Sequence, residues 1–390
     1  MRTVLTASAL LTPLERIEQP LIVIEDGQIA RVSSRQLSEI PAGTEVRDFP
    51  DGVLAPGLID IHIHGGAGHD VMTANAGALE DFERALVRHG VTGYFPTTVT
   101  APLDTTCVAL ERLASAIETV SARSRDGSLR AQPLGIHLEG PFISHAKRGV
   151  HPSYHLQAPS LEIFDHLWQA ARGKISIMTV APELPHAEYL IAEAARRGVC
   201  VSMGHSDSPL AAVETAVAAG ARHATHTFNA MRPLDHREPG ILGAVLADER
   251  LTADIIADGI HVHPEVIRIF LRAKGAERAV LITDAISATG MGDGRYQLGG
   301  FEVTVTGERC EYEGRLAGSV LTLDRAVRNV VQFAGWNLQQ AIRLATLNAA
   351  SVAGFAGRKG HIVEGADADI VVLTGDGRPL KTFVAGMAVS

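Results

Sequence analysis

Between residues 58 and 284 the sequence alternates, eight times over, between short β-rich runs and segments of helical composition. The runs are LIDIHIH at 58–64, TGYFPTTV at 92–99, LGIHLE at 134–139 and ISIMTV at 175–180. VCVSMG at 199–204, RHATH at 222–226, ADIIA at 253–257 and AVLITD at 279–284 complete the set. Helical stretches rich in Ala, Leu, Glu and Arg lie between most of them, for example at 76–89, 104–121, 187–197 and 208–219. The last of these opens on Ser208-Pro209, a capping residue followed by a first-turn proline. Successive βα units lay their strands parallel through crossovers of one hand. Eight of them predict closure into a (β/α)8 barrel. An open doubly wound sheet is the alternative, but it normally carries GxGxxG after its first strand, and GGAGHD at 65–70 lacks that pattern.

The two ends read differently. Residues 1–55 hold short strands, with LIVIEDGQIARV forming a hairpin through Asp26-Gly27. Residues 355–390 do the same, turning at Asp376-Gly377. We expect 1–55 and 355–390 to meet in one small β-domain of sandwich type, beside a catalytic barrel spanning 56–354.

Composition excludes several classes of function. A net charge of −9 with no Lys/Arg-rich tract argues against nucleic acid as a partner. The three cysteines, Cys107, Cys200 and Cys310, form no CxxC and fit a reducing compartment, with Cys107 expected as a core thiol. The N-terminal stretch has no A-x-A-like cleavage site, and no apolar run reaches 18 residues, so the expected location is the cytoplasm and no membrane is involved.

In a barrel of this type the chemistry sits at the C-terminal ends of the strands. The polar residues of interest fall there. His62 and His64 close the first run, and residues i and i+2 of a strand share a face, so one ion can accept both imidazoles. Glu139 closes the third run, His205 follows the fifth, His226 closes the sixth and Asp284 closes the eighth. Four histidines and two carboxylates aimed at one mouth suit zinc, iron, manganese or cobalt better than calcium. Six candidates exceed the needs of one tetrahedral ion, which allows two ions bridged by Glu139, or a role for Asp284 outside the ligand set. Each residue has a plainer role open to it. An isolated His-x-His is often a hydrogen-bonded core pair, His205, Ser206 or Asp207 could cap the next helix, and Asp284 could cap the segment after it. His137 is read as a packing residue behind the site. Glu139 is the exception, because a carboxylate ending an apolar strand is costly to bury without a partner.

The motifs that surround these residues resemble the amidohydrolase superfamily, and within it the N-acetylglucosamine-6-phosphate deacetylases. The resemblance is carried by APGLIDIHIHG at 55–65, HLEGPFIS followed by KRGVH at 137–151, GHSDS at 204–208 and THTFNAM at 225–231. REPG at 237–240, DGIHVHP at 258–264, ITDA at 282–285 and LAGSVLTLD at 316–324 extend it over most of the chain. By position it implies that Glu139, His205 and His226 hold a retained divalent metal and that His62 and His64 form a second metal position. Asp284 matches the catalytic acid and base. His151 matches a residue that polarises the acetamide carbonyl or binds the sugar. His261, Asn229 and Ala230 match contacts to the phosphate and sugar, and Leu316, Ala317, Gly318 and Ser319 match a loop beside the acetyl group. Arg237 matches an arginine that reaches into a neighbouring subunit's site, which implies a homodimer. The implied reaction is hydrolysis of N-acetyl-D-glucosamine 6-phosphate to D-glucosamine 6-phosphate and acetate. A cyclic-amide hydrolase, a nucleobase deaminase and a silent sugar-phosphate-binding scaffold are the competing readings. Lys174 stands only at the start of its strand, which disfavours a bridging carboxylated lysine.

Overall fold

The computed structural model describes residues 2–37, 39–40, 43–120 and 128–389. Eight parallel strands close a barrel: Leu58–Ile63, Val91–Pro96, Ile136–Glu139, Ile175–Val180, Cys200–Met203, His223–Ala224, Ala253–Ile256 and Ala279–Ile282, here numbered barrel strands 1 to 8. Within the ring, strand 1 pairs with 2, strands 3 to 6 pair in series, and 7 pairs with 8. Bridges and single main-chain bonds make the remaining joins. Thr97 bridges to His137 between strands 2 and 3, and Thr227 N donates to Asp254 O at 2.9 Å between strands 6 and 7. Strand 8 returns to strand 1 through the Ile63–Ala285 bridge and a 3.0 Å bond from Asp284 N to His62 O.

A helix follows each strand. The first, Ala76–Arg88, shows why: Leu79, Phe82, Leu86 and Val87 recur at helical spacing and are buried, while Asn75 caps the helix by accepting from Ala78 N at 3.0 Å. The second expected helix is Leu103–Glu118, and residue 121 of that expectation lies outside the described residues. The helix expected at 208–219 runs from Leu210 to Ala219, and Ser208 does not cap it. The Ser208 hydroxyl donates to Pro209 O, and Glu238 Oε1 accepts from Leu210 N at 3.3 Å instead. Ser206 and Asp207 are likewise engaged elsewhere, Ser206 Oγ and Asp207 N both donating to the Glu183 carboxylate at 2.7 and 2.6 Å.

Both termini enter one sheet beside the barrel. Its order runs Met387–Val389, Pro379–Val384, Ile370–Leu373, Glu45–Pro56, Arg2–Leu11, Pro20–Glu25, Gln28–Ser34, with Arg16–Glu18 paired to Arg2–Leu11. Leu5, Ile22, Leu54, Ile370 and Phe383 belong to a core of its own. Only Gly57 separates this sheet from barrel strand 1, and a Cβ there would stand 2.2 Å from Thr92 Oγ1, so the close approach requires glycine. The buried ammonium of Lys359 ties the sheet to the barrel, meeting Asp369 at 2.5 Å, Asp367 at 3.1 Å and Gln132 at 3.0 Å.

One element was not foreseen. Between strand 8 and its helix, Leu323–Ala334, four short antiparallel strands (Gly294–Leu298, Phe301–Thr306, Arg309–Tyr312 and Arg315–Leu316) form a small sheet. Leu298, Val303, Val305, Cys310 and Ala317 give it a core that includes Val99 from the barrel mouth.

Candidate active site

The strand ends deliver their polar side chains to one point. Glu139 stands at its centre, between two pairs of histidines. Its Oε2 faces the strand 1 pair, 3.4 Å from both His62 Nε2 and His64 Nε2. Its Oε1 faces the other pair, 3.2 Å from His205 Nε2 and 3.1 Å from His226 Nε2. The Nε2 atoms lie 3.2 Å apart within the first pair and 3.0 Å apart within the second. Asp284 Oδ1 approaches His64 Nε2 at 3.0 Å and His62 Nε2 at 3.5 Å, and His151 Nε2 stands 3.6 Å from Glu139 Oε2. All are buried except Asp284, whose side chain keeps 13% of its surface open towards the cavity.

The partners on the far side of each ring decide which nitrogen faces inwards with a lone pair. His64 Nδ1 can only donate to the carbonyl of Thr97, at 3.0 Å, and His205 Nδ1 to that of Lys147, at 2.9 Å. Their Nε2 atoms therefore point lone pairs at the Glu139 carboxylate, an arrangement that a cation between them would satisfy. His151 is the reverse case. Its Nδ1 accepts from the backbone N–H of Thr100 at 3.3 Å and lies 2.8 Å from Thr100 Oγ1, so its Nε2 carries the proton and faces the site as a donor. Although Glu139, His151 and His205 lie close enough to form a ligand trio, the tautomer favours His226 as the third donor. His62, His64 and Asp284 form a second group of ligand geometry.

Electrostatics follow from this packing. Burial pushes Glu139 up, but the charge of His62, the hydrogen bond of His151 and the nearby His205 and His226 outweigh it and hold the carboxyl well below its usual range. Asp284 is raised by burial and lowered further by His62 and His64, so it too is ionised well below its ordinary value. Burial pulls His64 down, yet Asp284 and Glu139 carry it to about 10, through a proton that a cation on Nε2 would replace. For His205, burial prevails and sets it at about 4.

Three residues of the His–carboxylate cluster sit in left-handed backbone: His205 at φ 47°, His226 at φ 31° and Asp284 at φ 51°. Such conformations cost a non-glycine residue on the order of 1 kcal/mol or more and persist where neighbours over-determine them. Asp284 is clamped by its own N–H to His62 O and by Ser319 N donating to its carbonyl at 2.8 Å. The His226 N–H donates to Asp254, whose other oxygen meets His223 Nε2 at 3.0 Å. These turns also explain why the sixth and eighth strands stop short of the predicted ends.

Comparison with known proteins places this centre in a lineage. The sequence profile of the amidohydrolase family matches residues 53–389. The chain belongs to the amidohydrolase family. Within that family it is 38% identical over 379 residues to N-acetylglucosamine-6-phosphate deacetylase of Bacillus subtilis, covering 97% of this chain and 94% of that one. It is 37% identical over 391 residues to N-acetylgalactosamine-6-phosphate deacetylase of Escherichia coli O157:H7, covering all of both. Among solved structures, an N-acetyl-D-glucosamine-6-phosphate deacetylase from Mycobacterium smegmatis, in complex with N-acetyl-D-glucosamine-6-phosphate, superposes with a TM-score of 0.90 at 31% identity, over 100% of this chain and 99% of that one. The fold is the amidohydrolase barrel with its companion β-sheet.

In this amidohydrolase mouth, a cavity of about 180 Å³ is lined by His64, Glu139, His151, His205, His226 and Asp284. Asn229, Ala230, His261, Leu316 and Gly318 also line it. His261 is oriented by Asp258, which accepts from its Nδ1 at 2.6 Å. Ala317 and Ser319 do not reach the cavity. Ala317 packs into the core of the inserted sheet, and Ser319 Oγ donates to Thr283 O at 2.6 Å, behind Asp284. Arg237 is exposed on the loop before Gly240–Ala247 and lies outside this chain's own cavity. His137 lies under the His62 ring, its two nitrogens held by Ile61 O and Thr179 Oγ1. Cys107 is buried in its helix, away from the cavity.

Sequence reasoning missed Asp60, Asp254 and Leu298. Asp60 shares a strand face with His62 and His64 and is fully buried. It accepts from Thr283 Oγ1 at 2.6 Å and from His62 N at 3.3 Å, which locks strand 1 to strand 8 beneath the cluster. Burial dominates its titration and moves its carboxyl up to about 7. The i, i+2 spacing that flagged the histidines would also have flagged it. Leu298 lines the cavity from the inserted sheet, and no local signal announces that placement.

Proposed function

We propose that this chain hydrolyses the acetamide of N-acetyl-D-glucosamine 6-phosphate, releasing D-glucosamine 6-phosphate and acetate. One observation carries the reading. An ionised, partly open Asp284 borders a buried His–Glu cluster, in a chain 38% identical over 97% of its length to a deacetylase of that name. The inward lone pairs of His64 and His205 and the central Glu139 fit a cation. Glu139, His205 and His226 would hold one divalent metal, and His62 and His64 offer a second position. Zinc, iron, manganese and cobalt all accept such donors. When bound, a divalent cation lowers the pKa of water to about 7 and polarises a carbonyl oxygen.

The chain's own side chains do the rest. Asp284 takes the proton of the attacking water and returns it to the amide nitrogen, so that the C–N bond breaks with the leaving group as a neutral amine. Its depressed pKa keeps it ready to accept at neutral pH. His151 Nε2–H donates to the acetamide oxygen as negative charge develops there. Asn229, Ala230 and His261 receive the sugar and its phosphate. Arg237 from a second copy of the chain completes the phosphate site, its guanidinium suited to a bidentate grip. The enzyme is thus read as a homodimer. Three free cysteines support a cytoplasmic setting, and among the described residues no helix is long and apolar enough to cross a membrane.

A galactosamine substrate is the second reading, favoured by the full-length match to the Escherichia coli relative. Acetate release from both N-acetylated hexosamine 6-phosphates, and from unphosphorylated N-acetylglucosamine, separates the two. We expect the glucosamine form to lead and the unphosphorylated sugar to trail by more than tenfold. Equal rates on all three would contradict a phosphate site.

A further inference from the structure

A second cavity, of about 470 Å³, adjoins the catalytic one. Three chain segments place neighbouring residues on its two sides. Val99 lines the catalytic cavity and Thr100 the second, Leu298 the first and Phe301 the second, Leu316 the first and Arg315 the second. Gly149, Val150 and His151 line both. The loop that carries His151 therefore borders both spaces, and Thr100, which fixes the His151 tautomer, faces the outer one.

The chemistry of the outer cavity is that of a sugar-acid site. Phe301 and Tyr312 pack at a tilt of 50° with ring centroids 4.7 Å apart, and the ring of Tyr154, 78% exposed, stands 4.3 Å from that of His155. Aromatic faces of this kind cover the apolar side of a sugar ring. Two arginines line the same space. Arg148 makes one contact, from Nη1 to His145 O at 3.1 Å, and Arg315 has neither an ion pair nor a side-chain hydrogen bond among the described residues. Among the described residues that line the cavity Glu313 is the single carboxylate, so the two guanidiniums outnumber it.

We propose that this cavity is an accessory substrate subsite, which receives a carboxylate-bearing substituent on a sugar ring carbon next to the acetamide. The proposal rests on the deacetylase reading, because it takes the acetamide to lie against His151. The ring carbons flanking the amide-bearing carbon are then the ones nearest the shared wall. A substituent there passes Gly149–His151 and presents its carboxylate to Arg148 and Arg315, where a guanidinium fork suits it. The enzyme is thereby built for substituted amino-sugar phosphates as well as the parent sugar.

The test compares N-acetyl-D-glucosamine 6-phosphate with its 3-O-carboxymethyl ether, as substrates of the metal-loaded wild type and of Arg315→Ala. Arg315 is exposed at the start of the last short strand of the inserted sheet, outside the catalytic cavity, so the variant folds as the parent does. We expect the wild type to turn over the ether with kcat/KM within threefold of the parent sugar. Arg315→Ala lowers kcat/KM about fivefold on the ether and less than 1.5-fold on the parent, in line with one partly exposed charge pair. Arg315→Lys recovers part of the loss. An ether that the wild type cannot hydrolyse while it hydrolyses the parent sugar would overturn the subsite, as would equal losses on both substrates. Failure on the parent sugar as well would overturn the deacetylase reading, and the subsite with it.

Discussion

His151 and His205 lie side by side, ring centroids 4.7 Å apart, yet the atoms behind them give them opposite chemistry. A backbone carbonyl behind His205 makes its inner nitrogen a lone-pair donor, and a backbone N–H behind His151 makes its inner nitrogen a proton donor. The difference predicts a split. His205→Ala should lose bound metal and activity together. His151→Ala should keep its metal, measured by elemental analysis, while kcat falls about 10²- to 10³-fold through loss of one donor to the developing oxyanion. Loss of metal in the His151 variant would return it to the ligand set.

At the scale of elements, the join between strand 1 and the terminal sheet is the tightest constraint. Gly57→Ala drives a Cβ into Thr92, whose Oγ1 and Cγ2 lie 2.2 and 2.3 Å from it. We expect a clear drop in Tm, partly restored by adding Thr92→Ala, which removes both atoms. No restoration would show that the strain lies elsewhere. A second join links helix Ala76–Arg88 to helix Leu323–Ala334: Asp324, in the first turn of the latter, meets His89 at 3.1 Å and Arg328 at 2.5 Å. Burial raises the Asp324 carboxyl, but His89, Thr322 and Arg328 prevail and hold it at about 2. A carboxylate depressed on folding contributes stability above its unfolded value of 3.8, and that contribution fades as pH falls towards 2. Asp324→Asn should therefore lower stability at pH 7 by about 2 kcal/mol in urea unfolding, with a gap that narrows at pH 3. A constant gap would contradict the linkage.

These elements also show what the sequence could reveal. Most of the eight strands were legible because they bury short apolar runs, and both terminal hairpins because Asp-Gly sets their turns. The strand-end residues His62, His64, Glu139, His205, His226 and Asp284 were legible because a parallel barrel sends all its C-terminal ends to one mouth. The inserted sheet at 294–316 was not, since its alternating strands are short and its core forms against residues distant in sequence such as Val99. The helix cap on Leu210 was not either, because Glu238, 28 residues away, supplies it. Backbone partners such as Thr97 O and Lys147 O, which set the tautomers, have no sequence signature at all.

For the molecule as a whole, the phosphate arginine gives the sharpest prediction. If Arg237 serves the site of a second copy, Arg237→Ala should raise KM for phosphorylated substrate and leave turnover of unphosphorylated N-acetylglucosamine nearly unchanged. Mixed dimers of Arg237→Ala with Asp284→Asn should then regain activity, since one of their two sites combines an intact Asp284 with an intact Arg237 from the other chain. Mixtures no more active than the sum of the parents would place Arg237 outside the neighbouring site.

Amide hydrolysis in a metal-loaded site requires Asp284 to move a proton. The most direct measurement is acetate release from N-acetyl-D-glucosamine 6-phosphate by the wild type and Asp284→Asn, with metal counted on the same preparations. We predict acetate from the wild type and a rate about 10³-fold lower in the variant at equal metal content. No acetate from the metal-loaded wild type, or an undiminished rate in Asp284→Asn, would contradict it.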